Sequence, residues 1–264
     1  MALKDKVKYS LNVILQSVFR YKYTPQRYQG TFLAKVDKVS DIKTNRNFEP
    51  LIYCFWTGNN EMSENRKNCL QSLIERSGVQ VKLITPKNLG EYILKEHPLH
   101  PAFQYLSAVH KSDYLRCYFM NFYGGGYSDL KMCQNSWVTE FETLRKSNKW
   151  ILGYREIRRK DLAVVEGNIR VDLRRHFLSV IGNCCYICVS NSPFTQEWYA
   201  ELISRMDGYA EKLKNNPGNI WGDNEGYPIP WTNILGSIFH PLCLKYSDKI
   251  IQSKFIKPGL KNYR

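Results

Sequence analysis

Leu51-Ile52-Tyr53-Cys54-Phe55-Trp56 is an unbroken apolar run of strand-forming residues, and Thr57-Gly58-Asn59-Asn60 stops it with turn chemistry. Ser63 follows as a helix cap. A helix is expected from Ser63 to Glu75, with Cys69, Leu70, Leu73 and Ile74 on its buried face. Val79 to Ile84 reads as a second strand, closed by Thr85-Pro86. Strand, helix and strand in this order open a nucleotide-binding α/β layer. The predicted fold class is therefore α/β.

Toward the C-terminus, Leu89 to Leu94 gives a short helix, and Pro98 and Pro101 break the chain. A long helix is predicted from about Phe103 to Tyr123. Gly124-Gly125-Gly126 ends it, and Tyr127-Ser128-Asp129-Leu130 starts the next extended segment. Further on, Trp150 to Tyr154 and Cys185 to Ser190 read as strands. Asn191-Ser192-Pro193 caps a helix from about Phe194 to Met206. Residues 215–231 are a loop rich in Gly, Pro, Asn and Trp, Ile234 to Phe239 is apolar, and the tail from Lys245 is basic.

Toward the N-terminus, residues 35–50 form a polar linker. Before it, Leu3, Val7, Leu11, Ile14, Leu15 and Val18 recur at helical spacing among Lys4, Lys6, Lys8, Arg20 and Lys22. Two readings of this basic amphipathic helix stand together: it lies on an anionic membrane surface, or it packs on its own domain with its charges solvated. The chain divides into 1–48 (helix and linker), 49–140 (a first half) and 141–264 (a second half and tail).

The 264 residues are 43% hydrophobic and 23% charged, which excludes a disordered chain. Lys and Arg number 38 against 24 Asp and Glu, a net charge of +14 that favours polyanionic or phosphorylated partners. The eight cysteines are too sparse for a disulfide scaffold. Cys184-Cys185-x-x-Cys188 lacks a second ligand pair for zinc and reads as buried strand. Neither a signal peptide nor a run of about 18 apolar residues is visible. A cytoplasmic setting is expected, with peripheral attachment at the inner membrane face through the first helix.

The chemistry concentrates in Ser112-Asp113-Tyr114-Leu115-Arg116 and Tyr123-Gly124-Gly125-Gly126-Tyr127-Ser128-Asp129. Asp113 and Arg116 share one helix face. The glycines permit a sharp turn, and Asp129 then points at what that face also sees. An acid, a guanidinium and a second acid on one spot suit a ligand bearing hydroxyls and phosphates. A plain helix salt bridge followed by a C-cap would explain neither the three glycines nor the acid directly after them.

This segment resembles the SDxxR … YGGxYxDxD signature of GT-A type sugar-nucleotide glycosyltransferases. It is most similar to the capsular polysaccharide synthesis and DXD-sugar-binding groups, with large clostridial toxin glucosyltransferases as distant relatives. The resemblance implies a single main domain with a Rossmann-like mixed sheet and helices on both faces. It implies a nucleoside diphosphate sugar donor, a UDP-sugar foremost, bound by a nucleotide-sugar-binding half at 49–140, and a glycan or lipid-pyrophosphate-linked acceptor, bound by an acceptor-binding half at 141–264. Trp56, with Thr57, falls where the family stacks the base. Asp113 and Arg116 fall where it holds the donor sugar. Asp129, beside Tyr127, matches the first DxD acid and so a ligand of Mn²⁺ or Mg²⁺. The second acid is replaced by Lys131, which predicts weaker metal dependence, the ammonium supplying charge to the leaving diphosphate instead.

Two later features extend the candidate site. In related transferases a late loop carrying a Trp closes over the donor, which points to Trp231. Within that loop Asp223 or Glu225 is either the base of an inverting reaction or a solvated acid. His240 is either a late metal or diphosphate ligand or a packed structural histidine. The resemblance implies retention of configuration, which the residues themselves leave open. The predicted function is hexosyl transfer in the synthesis of a bacterial surface polysaccharide. A basic nucleic-acid-binding protein is the rival, disfavoured because its cations are scattered and no recognition motif is present. An inactive scaffold with a transferase fold is the third reading.

Overall fold

Strand β1 (Leu51–Phe55) is buried along its length, and its side chains part to two faces of a sheet. Leu51, Tyr53 and Phe55 enter one apolar core, whereas Ile52 and Cys54 enter another. A strand covered on both faces reads as a continuous apolar run, which is why this stretch shows no alternation. The computed structural model of the protein describes residues 21–34, 46, 48–156 and 158–261. The amphipathic stripe of residues 3–18 lies outside them, as does most of the 35–50 linker.

After β1 come α1 (Glu64–Arg76), β2 (Gln80–Ile84), α2 (Ala108–Phe122), β3 (Gly125–Ser128), α3 (Val138–Lys146) and β4 (Ile151–Arg155). Then follow α4 (Asn168–Arg175), β5 (Ile181–Cys188), α5 (Pro193–Asn215), α6 (Gly236–Lys245) and β6 (Ile250–Gln252). The six strands form one mixed sheet in the order β2-β1-β3-β5-β4-β6. β1 runs parallel to both β2 and β3, β5 is antiparallel to β3 and β4, and β6 is parallel to β4. Helices cover both faces: the larger core joins β1 to α2, α5 and α6, and the smaller joins it to α1 and α3. The sheet passes without interruption across residue 140, so the two expected halves share one layer and one pair of cores.

The long helix expected from Phe103 is two elements. A 3₁₀ turn, Pro101–Tyr105, stops at Leu106, and the Ser107 side chain accepts the His110 N–H to start α2 afresh. The next two amides, of Ala108 and Val109, donate to the carbonyls of Asn219 and Ile220 at 3.2 Å each. The start of α2 is thus tied to the late loop. Four elements went unread in sequence: α3, α4, β6 and the last two turns of α5. The apolar run at 234–239 opens a helix, α6, that continues through Pro241.

Gly124 ends α2 with φ +67°. A Cβ there would meet Ser190 N at 2.8 Å and Cys188 O at 3.0 Å, both backbone atoms of the neighbouring strand and its exit. Gly124→Ala therefore combines left-handed strain with a clash that no rotamer relieves, and a loss of about 2–4 kcal/mol is expected. Urea denaturation measures it; a loss below about 0.5 kcal/mol would show that the sheet gives way.

Candidate functional site

Asp129 is the first residue past β3, and its amide donates to Cys184 O on β5 at 2.7 Å. The chain then turns tightly, Lys131 N–H donating to Asp129 O at 2.7 Å. That turn brings Lys131 Nζ to 2.9 Å from Asp129 Oδ2. A turn, not strand alternation, joins the two side chains, because the strand ends at Ser128. Lys131 Nζ also donates to Cys184 Sγ at 2.7 Å.

Arg116 reaches this carboxylate from α2. Its Nη2 lies 3.1 Å from Asp113 Oδ1 and 3.5 Å from Asp129 Oδ1, and its Nη1 donates to Asn183 O at 3.0 Å. The guanidinium stacks over the Tyr127 ring at 4.4 Å, and the Tyr127 hydroxyl donates to Asp129 Oδ1. The three residues singled out in sequence thus converge, with Lys131 as a fourth member. Asp113 is 4% exposed and Arg116 7%, whereas the Asp129 side chain keeps 24% of its surface. A ligand at this spot meets Asp129 first, and Asp113 acts through Arg116.

Burial pushes the Asp129 carboxyl up, but Lys131, Arg116 and the Tyr127 hydroxyl outweigh it and hold the group well below the usual carboxylate range. Burial pulls Lys131 down, and Asp129 and Cys184 reverse that, leaving it raised. Both are charged at neutral pH. Asp113 goes the other way: its burial dominates and raises it, against Arg116 and His110.

This donor set does not fit a divalent cation. Asp129 is a single carboxylate whose Oδ1 already takes Tyr127 and Arg116 and whose Oδ2 takes the Lys131 ammonium. Among the described residues no three His, Cys, Asp or Glu side chains are arranged to hold a metal. His240 is 1% exposed, and its Nδ1 accepts the Ala163 N–H at 2.9 Å. Burial lowers its pKa to about 4, so the ring is neutral and its proton sits on Nε2. It therefore presents an N–H rather than a lone pair on that side.

The late loop is pinned over the start of α2. His110 Nε2 faces Trp231 O, a pure acceptor, at 3.4 Å, which assigns the proton to Nε2 and leaves Nδ1 to accept from Tyr227 OH at 2.8 Å. Tyr227 OH in turn accepts the Ser107 N–H at 3.2 Å. Trp231 is 57% exposed on this loop. Asp223 accepts from Asn219 Nδ2 at 2.7 Å within the loop, and Glu225 is exposed on it.

A cavity of about 400 Å³ opens at the C-terminal ends of β1 and β2. Thr57 and Gly58 line it after β1, Thr85 after β2, and Lys111 and Leu115 from α2. At about 100° per residue, Lys111 and Leu115 face away from Asp113 and Arg116, so α2 separates the cavity from the charged cluster. Trp56 does not line it: the indole is half-buried against the smaller core, its Nε1 donating to Asn60 O at 2.8 Å, while Thr57 Oγ1 donates to Ala108 O at 2.5 Å. In an open α/β sheet ligands bind beyond the carboxyl ends of the strands, where successive connections leave in opposite directions. Here that place lies between β1 and β3, with Trp56–Gly58 on one side and Asp129 on the other.

Residues 10–149, just over half the chain, match the family described as capsular polysaccharide synthesis protein. The chain belongs to this family. A solved structure titled PaToxG Glycosyltransferase is similar at 16% identity and TM-score 0.37, over 65% of this chain and 66% of that one. The chain thus spans just under two thirds of that structure's length. No curated protein matches.

Sequence reasoning missed three residues of the site. His110 and Asn183 gave no signal beyond His110 standing three residues before Asp113, and Cys184 was read only as strand. Outside the site, Glu156 is 8% exposed just past β4. Burial and Asp161 push its carboxyl up to about 7, against Lys257, Arg158 and Lys131. A carboxyl raised on folding stabilises the native state least at high pH. Its cost grows as pH rises from about 4.5 to about 7. Glu156→Gln is therefore expected to stabilise the protein by up to about 3 kcal/mol at pH 8 and by nothing at pH 4. Urea midpoints at the two pH values check it; an equal gain at both would mean the ionised form is not the cause.

Proposed function

We propose that the protein is a GT-A type glycosyltransferase that moves a hexosyl group from a nucleoside diphosphate sugar, a UDP-sugar foremost, to a glycan or lipid-linked acceptor in surface polysaccharide synthesis. The observation that carries this reading is the convergence of Asp113, Arg116, Asp129 and Lys131 at the sheet's switch point. Membership of the capsular polysaccharide synthesis family supports the pathway. Trp56 and Thr57 border the base site. Asp129 accepts hydrogen bonds from the donor sugar, and Arg116, steadied by Asp113 and Tyr127, fixes the orientation of Asp129. Lys131 meets the charge that grows on the departing diphosphate.

The four charged groups sum to zero before the donor arrives, so the site is a fixed dipole array rather than a cationic sink. Such preorganised charges act most strongly on a transition state because they need no reorganisation when charge moves. No protein base is required if configuration is retained, since the leaving phosphate oxygen takes the acceptor proton. Attachment to the inner membrane face belongs to this proposal. Among the described residues no helix is long and apolar enough to cross a membrane.

A thermal-shift series with UDP- and GDP-sugars tests the reading. One sugar nucleotide is expected to raise the melting temperature in EDTA as in Mn²⁺, and Asp129→Asn to weaken that shift about tenfold in apparent affinity. Silence toward every sugar nucleotide would overturn it.

A further inference from the structure

A second cavity, about 180 Å³, lies between the 159–165 segment and α4. Arg159, Lys160, Arg170 and Arg174 contribute four cations to its lining, and no acid lines it. Of the nearby acids, Asp161 and Asp172 are committed elsewhere. Asp161 takes a two-pronged contact from Arg158, at 2.6 and 2.9 Å. Asp172 takes Arg27, at 2.6 and 2.9 Å, and Tyr28. Glu166 is exposed on the loop before α4. Lys160, Arg170 and Arg174 have no acidic partner among the described residues. Arg159 is held in place, its Nε donating to Arg174 O at 2.8 Å and its guanidinium lying over Phe177. Like charges gathered around one hollow repel, and they are better accommodated by a multivalent anion than by water.

The floor of the hollow is apolar, formed by Leu162, Ala163, Val165 and Leu173, and Val164 stands 79% exposed beside it. On α4 the neighbouring Val171 is 49% exposed. A cationic rim over an apolar floor matches an amphiphile with a phosphoryl head better than a free inorganic ion. The hollow is also wired to the charged cluster. Ala163 N–H bonds His240 on α6. A Cβ at Gly236 would meet Ala163 Cβ at 2.8 Å and Asn183 Nδ2 at 3.2 Å, so Gly236 is wedged between the two. Asn183 O receives Arg116.

We propose that this hollow is the docking site for the phosphoryl head of the acceptor, and that the acceptor is a phosphorylated amphiphile. The assignment rests on the reading above that the chain transfers a sugar; it chooses the lipid-linked acceptor over a free glycan and adds the place where its head binds. The cations bind and orient that head and take no part in bond making.

The test uses the full chain and three probes: inorganic pyrophosphate, geranylgeranyl diphosphate in neutral detergent, and phosphatidylcholine vesicles with or without phosphatidylglycerol. Geranylgeranyl diphosphate is expected to bind at least about tenfold tighter than pyrophosphate by calorimetry, and Arg170→Gln with Arg174→Gln to weaken it at least about tenfold. Both arginines are exposed, so the double variant is expected to fold, and its sugar-nucleotide thermal shift is expected to be unchanged. Equal binding by the wild type and the double variant would overturn the proposal. So would phosphatidylglycerol vesicles that bind through the same arginines while the diphosphate amphiphile does not, because the hollow would then serve the membrane surface. A protein that binds the amphiphile through these arginines but no sugar nucleotide would keep the site and sink the transferase reading; the reverse pattern would sink the site alone.

Discussion

Arg116→Met is expected to cost about 3–5 kcal/mol of stability at pH 8 and to abolish transfer. The guanidinium is the only group that contacts both Asp113 and Asp129 in the described geometry, at 3.1 and 3.5 Å. A methionine of similar length keeps the packing on Tyr127 but leaves two carboxylates near one another without their shared cation. Asp113, already raised by burial, is the one that then takes up a proton. Its folded value moves further above that of the unfolded chain, so stability is retained at low pH and lost as pH rises through the folded value. Urea midpoints of the variant should therefore recover part of the loss between pH 8 and pH 5. Arg116→Lys is expected to fall between the two, since one ammonium cannot serve Asp113, Asp129 and Asn183 O at once. A variant as stable as the wild type at pH 8 would reduce the cluster to an incidental ion pair.

The elements legible in the sequence are those whose pattern is local. β1, α1 and β2 follow from an apolar run, a serine cap and a second run, all within 35 residues of Leu51. The triple glycine and the spacing of Asp113, Arg116 and Asp129 placed the charged cluster, because each signal lies within a short stretch. What stayed hidden depends on distant partners. Strand β6 has three residues and exists by pairing with β4, which no local propensity announces. Helix α4 is polar on most sides, and its buried face is only Ile169, Asp172 and Leu173. Asn183 and Cys184 enter the site from β5, more than 50 residues from Asp129, and only the sheet order brings them there. Lys131 was legible as a departure from the family pattern, but its partner Cys184 was not.

That departure has the sharpest consequence. In the wild type the Lys131 ammonium occupies the side of Asp129 that a metal would otherwise take, so transfer is expected to be the same in EDTA as in Mn²⁺. Lys131→Asp replaces the fixed cation with a second carboxylate beside Asp129. Without metal the two acids repel in a mostly buried site, and a loss of about 3–5 kcal/mol is expected, together with a fall in transfer of about 10²–10³-fold. Adding Mn²⁺ should raise the melting temperature of this variant selectively, because a pair of carboxylates two residues apart can bind it, and part of the transfer should return. Lys131→Met is the control: it loses the ammonium but gains no carboxylate, so Mn²⁺ should leave both its stability and its activity low. The wild type's indifference to chelation is the decisive measurement. If EDTA silences the wild type and Mn²⁺ restores it, the ammonium must leave Asp129 when donor and metal arrive, and the contact at 2.9 Å is a resting-state pair rather than the working one.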